Sequence, residues 1–304
     1  MARFGRSLAV MSAVSAIALA GCGAGRKAQW ETNAAKAGAK PADAGMAASG
    51  GDAAAKAEEA WGNRGDKASL EAAIAAWEAA SLANPNDAVV LAKLSHAYYF
   101  LADAHHRKLG DKSAEYLGAF EKGTAAGERA LAAASPKFKQ EVTGGIAVEQ
   151  AIKSVGPEGL EAMYWYAANL GKWSRAKGFA VTLGNKDRIR AVMSRALELD
   201  PNFFHGAPYR YFGAFYAVAP GFAGGDMNKS KESFEKSLAS APNYVGTKVL
   251  FAELYAAKKG DRALYEKLLD EVLATPDDIL PGLEPETRNE KEKAKELKAK
   301  AGDI

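Results

Sequence analysis

Few residues in this chain are equipped for chemistry. The candidates are His96, His105, His106 and His205, the lone cysteine Cys22, and the glutamates Glu158 and Glu161. On a helix His105 and His106 would diverge by about 100°, a poor geometry for holding one metal ion, so a surface pair is expected. Glu158 and Glu161 share a helix face, where two carboxylates are ordinarily solvated. The chain has no H-E-x-x-H, no Cys/His ligand spacing, no G-x-x-x-x-G-K-[ST] phosphate loop and no G-x-S-x-G elbow. The reading is therefore non-enzymatic, with no catalytic residue, metal or cofactor; a cell-wall enzyme is the enzymatic alternative. One further polar residue stands out. Arg210 lies in an aromatic run and has three readings open: meeting a carboxylate, stacking on a ring, or extending to solvent.

What remains is aromatic. Ala162–Trp173 reads A-M-Y-W-Y-A-A-N-L-G-K-W. Four consecutive bulky residues on a helix cover its whole circumference, so Met163, Tyr164, Trp165 and Tyr166 require enclosure on all sides. Gly171 suits the end of that helix. A second stretch, residues 203–226, holds Phe203, Phe204, Tyr209, Tyr211, Phe212, Phe215, Tyr216 and Phe222. Pro208 suits the first turn of its helix and Pro220-Gly221 its end. The candidate ligand- or partner-binding residues are Tyr164, Trp165, Tyr166, Asn169, Trp173, Arg210, Tyr211 and Phe215. A cavity lining and a core-filling helix both fit the first stretch.

The elements that must position these residues are helices. Leu70, Ala73, Ile74 and Trp77 share one helical face, as do Leu91, Leu94, Tyr98 and Leu101, then Ile189, Val192, Met193 and Ala196. No segment alternates like a strand. Gly65-Asp66, Gly110-Asp111, Gly225-Asp226 and Gly260-Asp261, with Gly184-Asn185 as a near match, read as turns leading into N-caps. Helices end near Pro85, Pro136, Pro201, Pro242 and Pro276. Met193–Asn202 and Phe234–Asn243 both resemble the close of a tetratricopeptide (TPR) repeat. The proline spacings of 51, 65, 41 and 34 residues are irregular. The expected fold is all-α: an irregular TPR-like array of helical hairpins, solenoid in type, with the aromatic helix inserted at its widest interval. The charged tail Glu286–Lys300 is expected to be a solvated helix, Glu292 reaching Lys295 and Glu296 reaching Lys300, with Asn289 and Leu297 as docking points.

Compartment is read at the N-terminus. Arg3 and Arg6 precede an apolar run, Leu8–Ala20, too short to span a membrane. Leu19-Ala20-Gly21-Cys22 resembles the bacterial lipobox. That implies cleavage of residues 1–21 and lipid on Cys22, enough to anchor the chain stably. Gly23 is not the Asp that marks retention at the inner membrane, so the outer membrane is favoured over the inner. Residues 22–58, rich in Ala and Gly, are expected to be a flexible tether reaching roughly 30–35 Å, and 59–304 the folded domain. Of the 40 basic and 37 acidic residues, the leader holds Arg3 and Arg6 and no acid. The mature chain is near neutral, with no charge-based case for nucleic acid.

Two motifs point to a family. Tyr164-Trp-Tyr-Ala-Ala-Asn-Leu-Gly-Lys-Trp173 and Pro220-Gly-Phe-Ala-Gly-Gly-Asp226 resemble, in order and separation, motifs of the TRAP-transporter-associated T component (TatT) family. The lipobox and the tail E-T-R-N-E-K-E-K-A over residues 286–294 fit as well. The resemblance spans roughly residues 59–300. It implies a TPR-like periplasmic lipoprotein that pairs with a solute-binding P component of a TRAP transporter, forms a homotrimer, and holds a cleft for an apolar or organic-acid ligand. A general TPR lipoprotein adaptor for envelope assembly is the alternative. It predicts a polar, basic concave face with the aromatics packed in the core.

Overall fold

A computed structural model describes residues 26–33, 44–300 and 302, and the side chains of 26–31, 52–300 and 302. The described residues are helical, with no strand among them. The helices are α1 (Gln29–Asn33), α2 (Ala44–Gly62), α3 (Lys67–Ala83), α4 (Ala88–Phe100), α5 (Ala114–Ala134), α6 (Pro136–Thr143), α7 (Val148–Ala151), α8 (Leu160–Lys177) and α9 (Phe179–Leu199). They continue as α10 (Phe203–Val218), α11 (Met227–Ser240), α12 (Val245–Leu250), α13 (Ala257–Lys259), α14 (Arg262–Ala274) and α15 (Glu284–Lys298). Two π-helical segments extend α4 and α12, at Leu101–His106 and Phe251–Ala256.

Local chemistry explains many of the boundaries. Asp66, Asp226 and Asp261 cap α3, α11 and α14, each carboxylate accepting from backbone N–H groups of the first turn. Asp111 does not cap; Ser113 does, accepting from the Tyr116 N–H. Asn185 lies inside α9, where its amide donates to the Val181 carbonyl and the Ser174 hydroxyl. Pro85, Pro201, Pro242 and Pro276 each follow a helix end, and Pro136 opens α6 at its first turn. The aromatic helix α8 does not stop at Gly171. It runs to Lys177 and is ended by Gly178, whose φ of +118° a side chain would resist.

Packing proceeds mainly between neighbours in sequence: α2 on α3, α4 on α5, α8 on α9, α10 on α11 and α14 on α15, with α5 also against α8. One core runs from Ala28 to Phe212 and centres on Trp77, Phe120, Met163 and Tyr166; a second, around Phe234, Tyr265 and Leu269, unites α11 to α15. The α5–α8 crossing depends on small residues. A methyl at Gly127 would sit 2.8 Å from the Tyr166 Cα, so only glycine permits this approach.

The flexible tether expected over residues 22–58 is not what the described part of that segment forms. Trp30 in α1 is buried against Phe138 and Tyr166. Helix α2 begins at Ala44 and passes through Gly50 and Gly51 without a break. Its alanines, the strongest helix formers, offset the glycines, and α3 supplies a packing partner. Residues 1–25, and with them the leader and Cys22, lie outside the described residues.

Candidate functional site: an aromatic cavity with a buried arginine

A cavity of about 800 Å³ opens between the two cores. Its walls come from α4, α8, α9, α10, the two π-helical segments and α15. Tyr164, Trp165, Arg210, Tyr211 and Phe215 line it, uniting the two aromatic stretches about 40 residues apart. Tyr166, Asn169 and Trp173 are not on its wall. Tyr166 faces Trp30. Asn169 is buried in the α4–α5–α8 junction, where its amide donates to the Ser95 carbonyl at 3.0 Å and the Trp165 carbonyl at 2.8 Å. Trp173 is buried beneath the Lys177 ammonium.

The aromatic wall is a continuous set of ring contacts. The Trp165 indole stacks on the His96 imidazole at 3.5 Å and meets Phe204 at 5.1 Å and Tyr99 at 5.3 Å. Phe204 also meets Tyr244, at 5.8 Å. Burial, with the nearby Arg64 charge, holds the His96 pKa well below the usual imidazole value, so the ring is neutral at pH 7.

Arg210, 5% exposed, lines the cavity beside these rings. Its Nη1 donates to the His205 carbonyl at 3.0 Å and the Thr247 hydroxyl at 3.3 Å; Nη2 donates to the Tyr164 hydroxyl and the Phe204 carbonyl, each at 3.3 Å. The guanidinium lies 4.3 Å from the Tyr244 ring centroid. All these partners are neutral. No carboxylate among the described residues forms an ion pair with Arg210, although guanidinium keeps its charge in proteins. The two carbonyls reach it because Phe204, His205 and Gly206 all adopt left-handed backbone, with φ of 40°, 59° and 70°. Two non-glycine residues in that region store strain of about 1–3 kcal/mol each. Pro208 starts the regular part of α10 after this turn.

The lining also has a polar, charged part. Asp103, on the first π-helical segment, is ion-paired with Lys172 of α8 at 3.0 Å and with Lys293 of α15 at 2.5 Å, and accepts from Asn289 at 3.0 Å. Burial pushes its carboxyl up, but the two ammoniums outweigh that and hold it well below the usual range. Glu296 pairs with Arg107 rather than Lys300, while Glu292 does pair with Lys295. Leu297 packs into the second core. The tail helix expected to be solvated is therefore a cavity wall. His105 and His106 are not a surface pair: His106 is buried, and the His105 Nε2 lies 3.0 Å from the Arg64 carbonyl. His96 and Phe204 stood out in the sequence without a cavity role, whereas Asp103 and Tyr244 leave no local signal, because helix crossings distant in sequence bring all four to the cavity.

The family model described as TRAP transporter T-component matches residues 67–304. The chain belongs to this family. It is thus a TRAP transporter component, from a family of transport-associated proteins rather than enzymes. The match takes in every wall of the cavity. No curated protein matches the chain. No helix among the described residues is long and apolar enough to cross a membrane.

Proposed function

We propose that this T component is a periplasmic lipoprotein, released from residues 1–21 and acylated on Cys22, that docks a solute-binding protein and passes it an amphipathic organic acid. The observation that carries the ligand reading is Arg210. It presents a buried charge with neutral partners on the wall of an aromatic cavity, where a ligand carboxylate would supply the missing counter-charge. Tyr211, Phe215 and Trp165 offer apolar surface to the rest of such a ligand. The hairpin packing is read as a divergent TPR-like array. The outer membrane is the preferred site of the anchor, and the working unit is a homotrimer.

The docking face is the mouth of the cavity. Phe179 and Val218 stand on its rim 63% and 45% exposed, and Phe222, on the turn after α10, is 81% exposed. Exposed aromatics grouped beside a ligand cavity are costly in water and fit a partner surface.

Pull-down from native membranes tests the reading. A solute-binding protein is expected with the parent chain and lost with Phe222→Ser plus Phe179→Ser. Recovery of envelope-assembly or cell-wall proteins alone would favour the adaptor alternative. Binding of decanoate provides the second arm: Arg210→Gln should weaken it by about 10- to 100-fold, since a charge-assisted hydrogen bond contributes roughly 1.5–3 kcal/mol, while decanol binding stays unchanged. Light scattering reads the oligomer, three times the chain mass being expected.

A further inference from the structure

Glu128 lies in the interior of α5 with no exposure to solvent. A fully buried carboxylate needs a cation, and its partner comes from the far N-terminus. Arg26 grips it with both guanidinium nitrogens, Nη2 at 2.7 Å from Oε2, and the Gln29 N–H donates to the same oxygen at 3.0 Å. Next to this ion pair Trp30 inserts its indole edge-on to Phe138 at 5.5 Å and over Tyr166 at 6.1 Å. Glu31 reaches Arg188 of α9 at 3.4 Å. Residues 26–31 thus hold to α5, α6, α8 and α9 through a buried charge pair and a buried tryptophan, an attachment a passing linker would not need.

The covalent chain then sets a distance. Only three residues separate Cys22 from Arg26, four Cα-to-Cα steps that span at most about 14 Å even when fully extended. An acyl anchor at Cys22 therefore holds the body close to the lipid headgroups, not tens of ångströms away. The face around the strap suits that setting. Lys27, Lys137, Lys139 and Lys153 are exposed there, and Ile146 projects at the Gly144-Gly145 turn with 45% of its surface open. Against them stand Glu149, Glu121 beside Arg26, Glu141 bonded to the Ser154 hydroxyl, and Glu31, whose charge is paired with Arg188. A lysine-rich rim with one exposed aliphatic side chain complements an anionic bilayer surface.

We propose that residues 26–33 form a strap that seats the α5–α6 face of the domain on the lipid bilayer. The proposal rests on acylation of Cys22. It gives α8 two duties: Tyr164 and Trp165 face the ligand cavity, whereas Tyr166, a further 100° round the helix, carries the strap. The aromatic helix then stands between the membrane-seated face and the ligand.

Cys22 is the sole cysteine, so in the acylated full-length protein an introduced cysteine is the only free thiol for a fluorophore. Gln140→Cys on α6 and Ala263→Cys on α14 place labels on exposed positions near the strap and on the second core. The protein is reconstituted in phosphatidylethanolamine/phosphatidylglycerol vesicles carrying a nitroxide-headgroup quencher, after mass spectrometry of the Cys22 acyl adduct. Quenching several-fold stronger at position 140 than at 263 is expected. Trp30→Ala, a change within the strap itself, and separately Glu128→Gln should bring that ratio toward one. Equal quenching at the two positions in the parent protein would overturn the strap. So would an unchanged ratio in both variants, once hydrogen exchange shows residues 26–33 released and circular dichroism shows the body folded. Absence of the acyl mass would instead sink the anchor reading and, with it, the seating.

Discussion

Trp165 fills two roles that are usually separated. It is 2% exposed and joined to His96, Tyr99 and Phe204 by ring contacts, yet it lines the cavity. Trp165→Ala should therefore cost about 3–5 kcal/mol in urea unfolding and also enlarge the cavity, weakening ligand binding at temperatures where the fold persists. His96 adds a pH signature. Its folded pKa is depressed, so between that value and the unfolded one the unfolded chain binds the extra proton. Its contribution is thus full above about pH 6.5 and lost as pH falls through the folded value. Chemical denaturation from pH 7.5 to 5 should show stability declining, and His96→Phe should flatten that slope. These properties stem from Trp165 and its neighbours; the tyrosine–tryptophan–tyrosine run announces burial but not what surrounds it.

At the scale of elements, the close crossing of α5 and α8 is a glycine effect. Gly127→Ala would force a methyl to within 2.8 Å of the Tyr166 backbone, and overpacking of this kind costs about 1–3 kcal/mol. Gly118, on the same helix, has open space at its Cβ, and Gly118→Ala should stabilise the protein by about 0.5–1 kcal/mol through helix propensity. Thermal unfolding of the two variants provides the comparison, with midpoints expected to move in opposite directions. The sequence pattern locates both helices, because spacing and caps are local. It does not reveal their separation, which depends on which glycine of α5 meets which residue of α8.

For the whole molecule, Asp103 ties the two cores together. It joins the extension of α4 to α8 through Lys172 and to α15 through Lys293 and Asn289. Asp103→Ala leaves two ammoniums facing one another without their carboxylate, a loss on the order of 3 kcal/mol given that breaking a buried pair costs about 3–5 and Lys172 is partly open to solvent. Hydrogen exchange should show α15 and the cavity wall loosening first. The carboxyl is depressed in the folded state, so its contribution is present above its unfolded value near 4 and disappears as pH falls through the lower folded value. The stability gap between parent and Asp103→Asn should accordingly shrink below about pH 4.

Sequence by itself determined what is local: the helices by their apolar spacing, many of their ends by Asp, Ser, Gly and Pro, and the family by two short motifs. It also marked Tyr164, Trp165, Arg210, Tyr211 and Phe215, all of which line the cavity. Tertiary structure alone decided the rest, since burial and charge pairing depend on distant residues meeting. It set Tyr166 and Asn169 into packing rather than the cavity wall, turned the charged tail into a wall through Asp103, and left Arg210 among neutral partners. It also drew Trp30 out of an apparent linker onto Phe138 and Tyr166, and Arg26 onto Glu128, because a carboxylate with no access to water must find its counter-charge wherever the chain can bring one.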